Sequence, residues 1–520
     1  MNKNLKFQED QINWMIAIFI ILAIALRLYL LYFPIFFFGY LVPPGDDAVR
    51  HYEMIKSILS GNFNTDYPWL FHLFVAGIAK ISGFNVIDIL KFLAPALVVL
   101  PSIAIYIFLR RSFGRMSALI GFVIVLWASN YALVAYGDGN YPNIIAGGLF
   151  LPLTLLFLLL SFRQRRLSYY LLTAIFAVLT LLTHHLSAVY LLVITLVYLI
   201  VLGAWNKFET IASNYRRTAV FILILLGAAI LLVLASPFRS MFAEVFHSIA
   251  QSGSFSAGTS FSLPPEFSEY ASQIGPFVYY GGLVGMIFLI YLLGQPKTRI
   301  NKPALLLILV WFIVAYGFSR FSQVGLPGRF ARETAVPLIM AEAIMVWCFI
   351  QAMQTNAQKI VAALGFGLII ILELVQVNGG AYRSPDFFKR MIWFDANDKR
   401  SADTIELIVP QDEVVLANPT TPYLPIFTSR KIVFVSLDKT PNLSALRAYA
   451  KAVEAHYVFI GTKTSANPDE ETYPFFNNFD KISKNLQNDL SKCESITVPD
   501  SNFAIYDLAN CLNQKSKISQ

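Results

Sequence analysis

At 520 residues, with 56% apolar and only 14% charged side chains, the chain falls well short of the roughly one quarter of charged residues usual in soluble domains. Its net charge of +8 does not mark a nucleic-acid binder, because the basic residues fall in short clusters between apolar runs, as topology signals do. Abundant Phe (44) and Tyr (25) suit lipid-facing and interfacial positions, so the chain reads as a membrane protein.

Taken in order, the apolar runs predict membrane-crossing helices, each needing about 20 residues to cover the hydrocarbon core. The first, within 13–40, is too long for a signal-peptide core and has no small-residue cleavage site after it, so it reads as an uncleaved anchor. The predicted spans are about 13–38, 86–109, 116–136, 143–162, 168–183, 186–204, 218–237, 276–294, 303–319, 333–353 and 357–377, about 11 in all. The run 168–204 is either one very long helix or a hairpin turning at His184-His185. Only the hairpin puts Arg110/Arg111/Arg115, Arg163/Arg165/Arg166, Lys207/Arg216/Arg217 and Lys297/Arg299/Lys302 on one side with the amino terminus, as the positive-inside rule requires. The expected topology therefore has the N-terminus in the cytoplasm and the C-terminus outside a plasma membrane. Asp46/Asp47, Asp138, His184/His185 and the segment 319–334 then gather at the outer face.

The predicted membrane domain is 1–377. Its first outer loop, about 39–85, carries two short helices. Residues 46–60 form an interfacial helix with Ala48, Tyr52, Ile55 and Leu59 on one face and Gly61 as its stop. Residues 69–82 are apolar but too short to cross. A second outer loop, about 238–275, is long enough to act as a lid. From 378 to 520 the composition becomes soluble. "EVVLA", "KIVFVS" and "HYVFIG" read as strands around the amphipathic "LSALRAYAKAVEA", which makes a small α/β domain. Near its end "ESITV" and "FAIYDL" read as paired strands that bring Cys493 and Cys511 together, so a Cys493-Cys511 disulfide is plausible in an oxidising compartment. The third cysteine, Cys348, lies in an apolar span, and no CxxC or Cys/His metal spacing occurs.

The apolar anchor followed by "GDDAVRHY", "DYPWLFHLFVAGIAKISG" and "RRSFGRMSALIGFVIVLWA" resembles the opening of the GT-C superfamily of polytopic glycosyltransferases. Later segments, "NYPNIIAGGLFLPLTLL", "LTHHLSAVYLL" and "GLPGRFARETAVPLIMA", are similar to bacterial and archaeal members. The resemblance implies a mainly α, polytopic membrane protein that takes sugar from a polyprenyl-phosphate-linked donor at the bilayer and passes it to a glycan, lipid or protein acceptor. The tryptophan-rich WWDYG-type motif of oligosaccharyltransferases is missing from the outer domain, which favours transfer of a single sugar.

Sugar transfer to a hydroxyl needs a base at the acceptor proton and donors that hold the leaving phosphate. The resemblance implies that an acid of the first outer loop, Asp47 or Asp46, is that base, or in some members that it holds a divalent cation (Mg or Mn). His51 lies four residues after Asp47 on the same helix face and can orient its carboxylate. The plainer reading has Asp46 as an N-cap and Asp47 complementing the helix dipole, which explains one aspartate better than two. Arg329 and Arg332, and more weakly Arg320, are candidate phosphate ligands, because the guanidinium fork matches phosphate geometry. Their plainer roles are anchoring at lipid head groups or pairing with Glu333. His184 and His185 are candidate substrate contacts or solvated turn residues, and Asp138 reads as part of a solvated turn. His72 reads as a packed interfacial residue and Lys91 as a snorkelling one. The rival functions are a secondary transporter, disfavoured because the acids lie in an outer loop with no inverted repeat, and a non-catalytic subunit of polysaccharide assembly.

Overall fold

A computed structural model describes residues 3–37, 39–44, 47–62, 67–204, 264–296, 300–321, 327–374, 396–417, 424–435, 437, 440–461, 484–493, 495–496, 503–508 and 511. The chain divides into two units, Met1–Phe33 with Met54–Arg383 and Pro34–Glu53 with Ser384–Gln520.

The first unit is helical. Among the described residues eight helices are long and apolar enough to cross a membrane: Asn13–Phe37, Val86–Ser112, Arg115–Gly137, Tyr141–Gln164, His185–Ala204, Pro276–Gly294, Lys302–Arg320 and Pro327–Ala352. Leu70–Ser82, Leu167–Thr183 and Asn356–Leu372 are shorter apolar helices. Two predicted spans, 168–183 and 357–377, thus appear as short helices, and the predicted span 218–237 lies outside the described residues. At about 1.5 Å per residue, Leu167–Thr183 falls somewhat short of a hydrocarbon core about 30 Å thick. The helix predicted at 333 starts earlier, at Pro327, where the missing proline N–H costs a helix nothing.

The long apolar run is a hairpin. His184 is extended (φ −156°, ψ 114°) and separates the two helices. Phe157 stacks on Tyr169 near the start of Leu167–Thr183, while Phe162 meets Tyr198 edge-on near the end of His185–Ala204. Both ends therefore lie at the C-terminal end of Tyr141–Gln164, beside Arg163, Arg165 and Arg166. Tyr198 also donates its hydroxyl proton to the Pro303 carbonyl at 3.2 Å, which brings Lys302 to that end. Arg163, Arg165, Arg166 and Lys302 thus share one end of the unit.

Helices Pro276–Gly294 and Ala335–Ala352 pack closely through glycine. A Cβ on Gly285 would come within 2.7 Å of the Ala341 backbone, so the approach exists only because that side chain is missing. Facing outward are Trp14, Ile18, Ile287, Ile290, Leu368 and Ile371, all exposed, as a lipid-facing belt requires. Leu70–Ser82 ends at Gly83 in the left-handed conformation (φ 73°), a stop that glycine adopts without strain. The predicted lid lies mostly outside the described residues. Its described end forms the helix Phe267–Ile274, opened by a reciprocal capping box between Glu266 and Glu269.

The second unit contains the α/β domain. Strands β1 (Val414–Ala417), β2 (Lys431–Phe434), β3 (Ala455–Gly461), β4 (Ser495–Ile496) and β5 (Phe503–Asp507) form one sheet in the order β2-β1-β3-β5-β4. The first three are parallel, and β5 is antiparallel to both β3 and β4. Helix Leu443–Ala452 buries Leu446 and Ala450 against Val414, Leu416, Val458 and Ile460. Every predicted strand in this domain is present. The β4–β5 pairing joins Cys493 to Cys511 in a disulfide, with Cα atoms 4.4 Å apart.

Candidate functional site

The helix carrying the first candidate base, Asp47–Leu59, forms where the sequence predicts it. Asp47 opens the helix and is half-buried, and His51, one turn on, is buried. Ala48, Tyr52 and Ile55 are buried as expected, but Leu59 is exposed at 42%, because the chain is already turning out towards Gly61 (φ 83°). Asp46 lies outside the described residues.

In the helical unit the other candidates meet at the end opposite the basic clusters. The short helix Pro327–Glu333 presents Arg329, half-buried, and Arg332, which is 1% exposed. Arg332 donates from Nη1 to Asp138 Oδ2 at 2.7 Å, and its Nε and Nη2 are buried without a hydrogen-bond partner among the described residues. Asp138 does stand in a turn with its side chain 39% exposed, and its carboxylate also neutralises a buried guanidinium contributed from 194 positions along the chain. The alternative pairing of the arginines with Glu333 is replaced. Glu333 accepts instead from Asn143 Nδ2 at 2.9 Å and from the Tyr131 hydroxyl at 3.2 Å.

His184 is buried in this cluster rather than solvated. Its Nδ1 lies 2.8 Å from Ser187 Oγ, which donates to Asn143 Oδ1 at 3.0 Å. His184, Ser187, Asn143, Glu333 and Tyr131 thus form one hydrogen-bonded chain. The Ser187 backbone N–H also donates to His184 Nδ1, at 3.3 Å, so Ser187 meets the ring through both its hydroxyl and its amide. Arg329, His184, Ser187, Tyr190, Asn143 and Glu333 line a cavity of about 10 Å³, room for a single water. His185 turns away from the chain to meet Tyr67 edge-on at 5.6 Å, and Tyr67 meets the buried His72 in the same manner. His72 contacts the Pro68 carbonyl through Nδ1, in keeping with a packed residue.

Arg320 is occupied locally. It donates to the Pro265 carbonyl at 2.6 Å and lies over the Phe267 ring, which holds the end of the second outer loop. Among the described residues no group of three or more His, Cys, Asp or Glu side chains is placed to hold a metal ion, so a divalent cation has no assembled ligand set there.

Of the residues brought together here, sequence reasoning named Arg329, Arg332 and His184, took Glu333 only as a partner of the arginines, and passed over Asn143, Ser187, Tyr131 and the ion pair of Asp138. One signal was present: Glu333 lies within the apolar helix Pro327–Ala352, and an ionisable residue at such a position calls for a buried partner.

Residues 66–240 match the family model described as dolichyl-phosphate-mannose-protein mannosyltransferase. No curated protein sequence matches the chain. Among solved structures, the apo oligosaccharyltransferase of Archaeoglobus fulgidus aligns with a TM-score of 0.62 at 11% identity, over 85% of this chain and 69% of that one. The oligosaccharyltransferase AglB of Archaeoglobus fulgidus, in complex with an inhibitory peptide and a dolichol-phosphate, aligns at 0.57 and 11% identity with the same coverage. ArnT of Cupriavidus metallidurans bound to undecaprenyl phosphate aligns at 0.56 and 14% identity, over 94% of this chain and 98% of that one. At these identities the likeness establishes the fold.

Proposed function

We propose, for a chain whose fold is that of the GT-C membrane glycosyltransferases, that it transfers a single sugar from a polyprenyl-phosphate carrier to a hydroxyl of a glycan, lipid or protein acceptor. The observation that carries this reading is the pair of arginines on Pro327–Glu333, one of them buried with guanidinium N–H groups not taken up by described residues. Such donors suit the phosphate of a lipid carrier, and carriers of this kind are bound in the ArnT and AglB structures.

In this mechanism Asp47, or Asp46 beside it, removes the proton from the acceptor hydroxyl. The acceptor oxygen then bonds to the anomeric carbon as the sugar–phosphate bond breaks, and the polyprenyl phosphate leaves with the bonding electrons. Arg329 and Arg332 balance the charge that accumulates on the leaving phosphate. His51 orients the acid, half-buried His185 contacts substrate, and His184, bonded to Ser187, supports the cluster from within. A divalent cation, where one takes part, would be held by Asp46 and Asp47.

The reaction belongs at the outer face of a plasma membrane, with the N-terminus cytoplasmic and the domain from about 378 extracytoplasmic. Two features support this: the basic clusters at one end of the helical unit and the Cys493–Cys511 disulfide, a bond kept in oxidising compartments. Mass spectrometry of the purified protein tests the function. A co-purified polyprenyl-phospho-sugar, lost on replacing Arg329 and Arg332 with Ala, is the expected result. A transporter or non-catalytic subunit would carry none.

A further inference from the structure

We infer that Glu333, acting through Asn143, is a positioning residue that sets the geometry of Arg329 and Arg332, an inference that rests on the phosphate-binding reading above. The turns bearing the two arginines, Pro327–Glu333, lead through Thr334 into the longer helix Ala335–Ala352. Side-chain bonds to neighbouring helices fix this first stretch further. Arg332 ties it to Asp138, at the end of Tyr131–Gly137. Glu333 ties it to Tyr131, at the start of that same helix, and to Asn143 on Tyr141–Ile145. Arg329 and Glu333 are four residues apart and so share a helix face, and both line the water-sized cavity.

The bonding around Asn143 has one solution. A carboxylate only accepts, so Asn143 must turn Nδ2 to Glu333, which leaves Oδ1 to accept from Ser187. Through Ser187 the same amide reaches His184, at the break of the hairpin. One residue therefore links the arginine helix to the hairpin turn. The backbone makes room for this: a Cβ on Gly147 would lie 3.0 Å from the Tyr131 hydroxyl, 3.1 Å from Glu333 Oε2 and 3.2 Å from Asn143 Oδ1. Gly147 stands in a π-helical turn, Ala146–Phe150, just before Pro152, whose missing N–H disturbs the regular ladder there.

The bond can be exchanged end for end. N143D sets two carboxylates against each other, and adding E333Q restores a donor–acceptor pair of opposite polarity, with Tyr131 still donating to Gln Oε1 and Ser187 to Asp Oδ. Each variant is reconstituted in nanodiscs and titrated with undecaprenyl phosphate, alongside its thermal midpoint. N143D is expected to weaken binding about tenfold or more, and N143D/E333Q to return to within about threefold of the parent, the size of coupling seen between contacting residues. A purely structural role would lower the thermal midpoint of N143D and leave the affinity of the folded fraction unchanged. If N143D does not fold, the double variant must both fold and bind as the parent does. Unchanged binding in N143D, or a double variant no better than N143D, overturns the positioning role while the phosphate reading stands. A parent that does not bind undecaprenyl phosphate removes the phosphate reading, and this inference with it.

Discussion

In the helical unit Arg332, Glu333, Asn143 and His184 are buried together, and the hydrogen bonds of the last three run through one another. In the α/β domain the densest polar cluster lies at the surface. Glu406, its side chain 39% exposed, accepts from Thr428, Ser429 and Arg430, whose guanidinium also donates to the Val409 carbonyl at 2.7 Å. The two clusters use similar side chains at very different cost. A polar group shut away from water must find its partner inside the protein, and losing that partner leaves the whole desolvation penalty. At the surface, water replaces whatever is lost. A buried polar cluster inside an otherwise apolar helical unit is therefore expensive to maintain. That expense is why the Glu333 cluster is read as a functional site and the Glu406 cluster as a structural clasp.

The contrast can be broken most sharply at Asn143. Asn143→Leu keeps the size but removes both the donor to Glu333 and the acceptor for Ser187, at about 1–3 kcal/mol for each buried group left unsatisfied. A large drop in the thermal midpoint of the detergent-solubilised protein is expected. A change comparable to a surface substitution would mean that water reaches the cluster.

The α/β domain depends on its cross-link to a similar degree, for a different reason. Cys493→Ser with Cys511→Ser opens a loop with a sequence separation of 18, a loss of about 3 kcal/mol that acts through the unfolded chain. Chemical denaturation should show earlier unfolding of the C-terminal signal alone. A coincident shift in the helical unit would argue against independent stabilisation of the two.

The smallest effect is expected at Glu406. Hydrogen bonds from Ser429 and Thr428 hold its carboxyl below the ordinary carboxylate range. A lowered folded value means that the stabilisation is complete above the ordinary value and is lost as pH falls through the folded one. Glu406→Gln should therefore remove the acid-side slope in the stability of this domain and cost it a small amount of stability at neutral pH, where the carboxylate's contribution is complete. A neutral-pH loss as large as that of Asn143→Leu would erase the difference between the clusters.

How much of this was legible in the sequence follows from range. Apolar length and local stops specified the helices, including Gly61 after the helix from 46, because those signals act within a few residues. The α/β strands were equally readable from "EVVLA", "KIVFVS" and "HYVFIG". The hairpin became readable only through the charge of distant loops. Arg332–Asp138 and Glu333–Asn143 span 194 and 190 positions, and nothing local to either residue names its partner. The ion pair of Asp138 was invisible for that reason, and Asn143, at the start of the predicted span 143–162, drew no reading of its own.

The central claim, a sugar transferase with Asp47 as its base, is tested most directly by Asp47→Asn and by the double variant that also carries Asp46→Asn. Asparagine caps and opens a helix about as well as aspartate, so a purely structural aspartate predicts little change. The measurement is single-turnover transfer from a bound polyprenyl-phosphate-linked sugar, with donor occupancy quantified on the same sample. Loss of a positioned base should slow transfer by about 10²–10⁴-fold while the donor remains bound. Full turnover in the double variant would contradict the assignment and leave the acidic pair with only its helix-capping role.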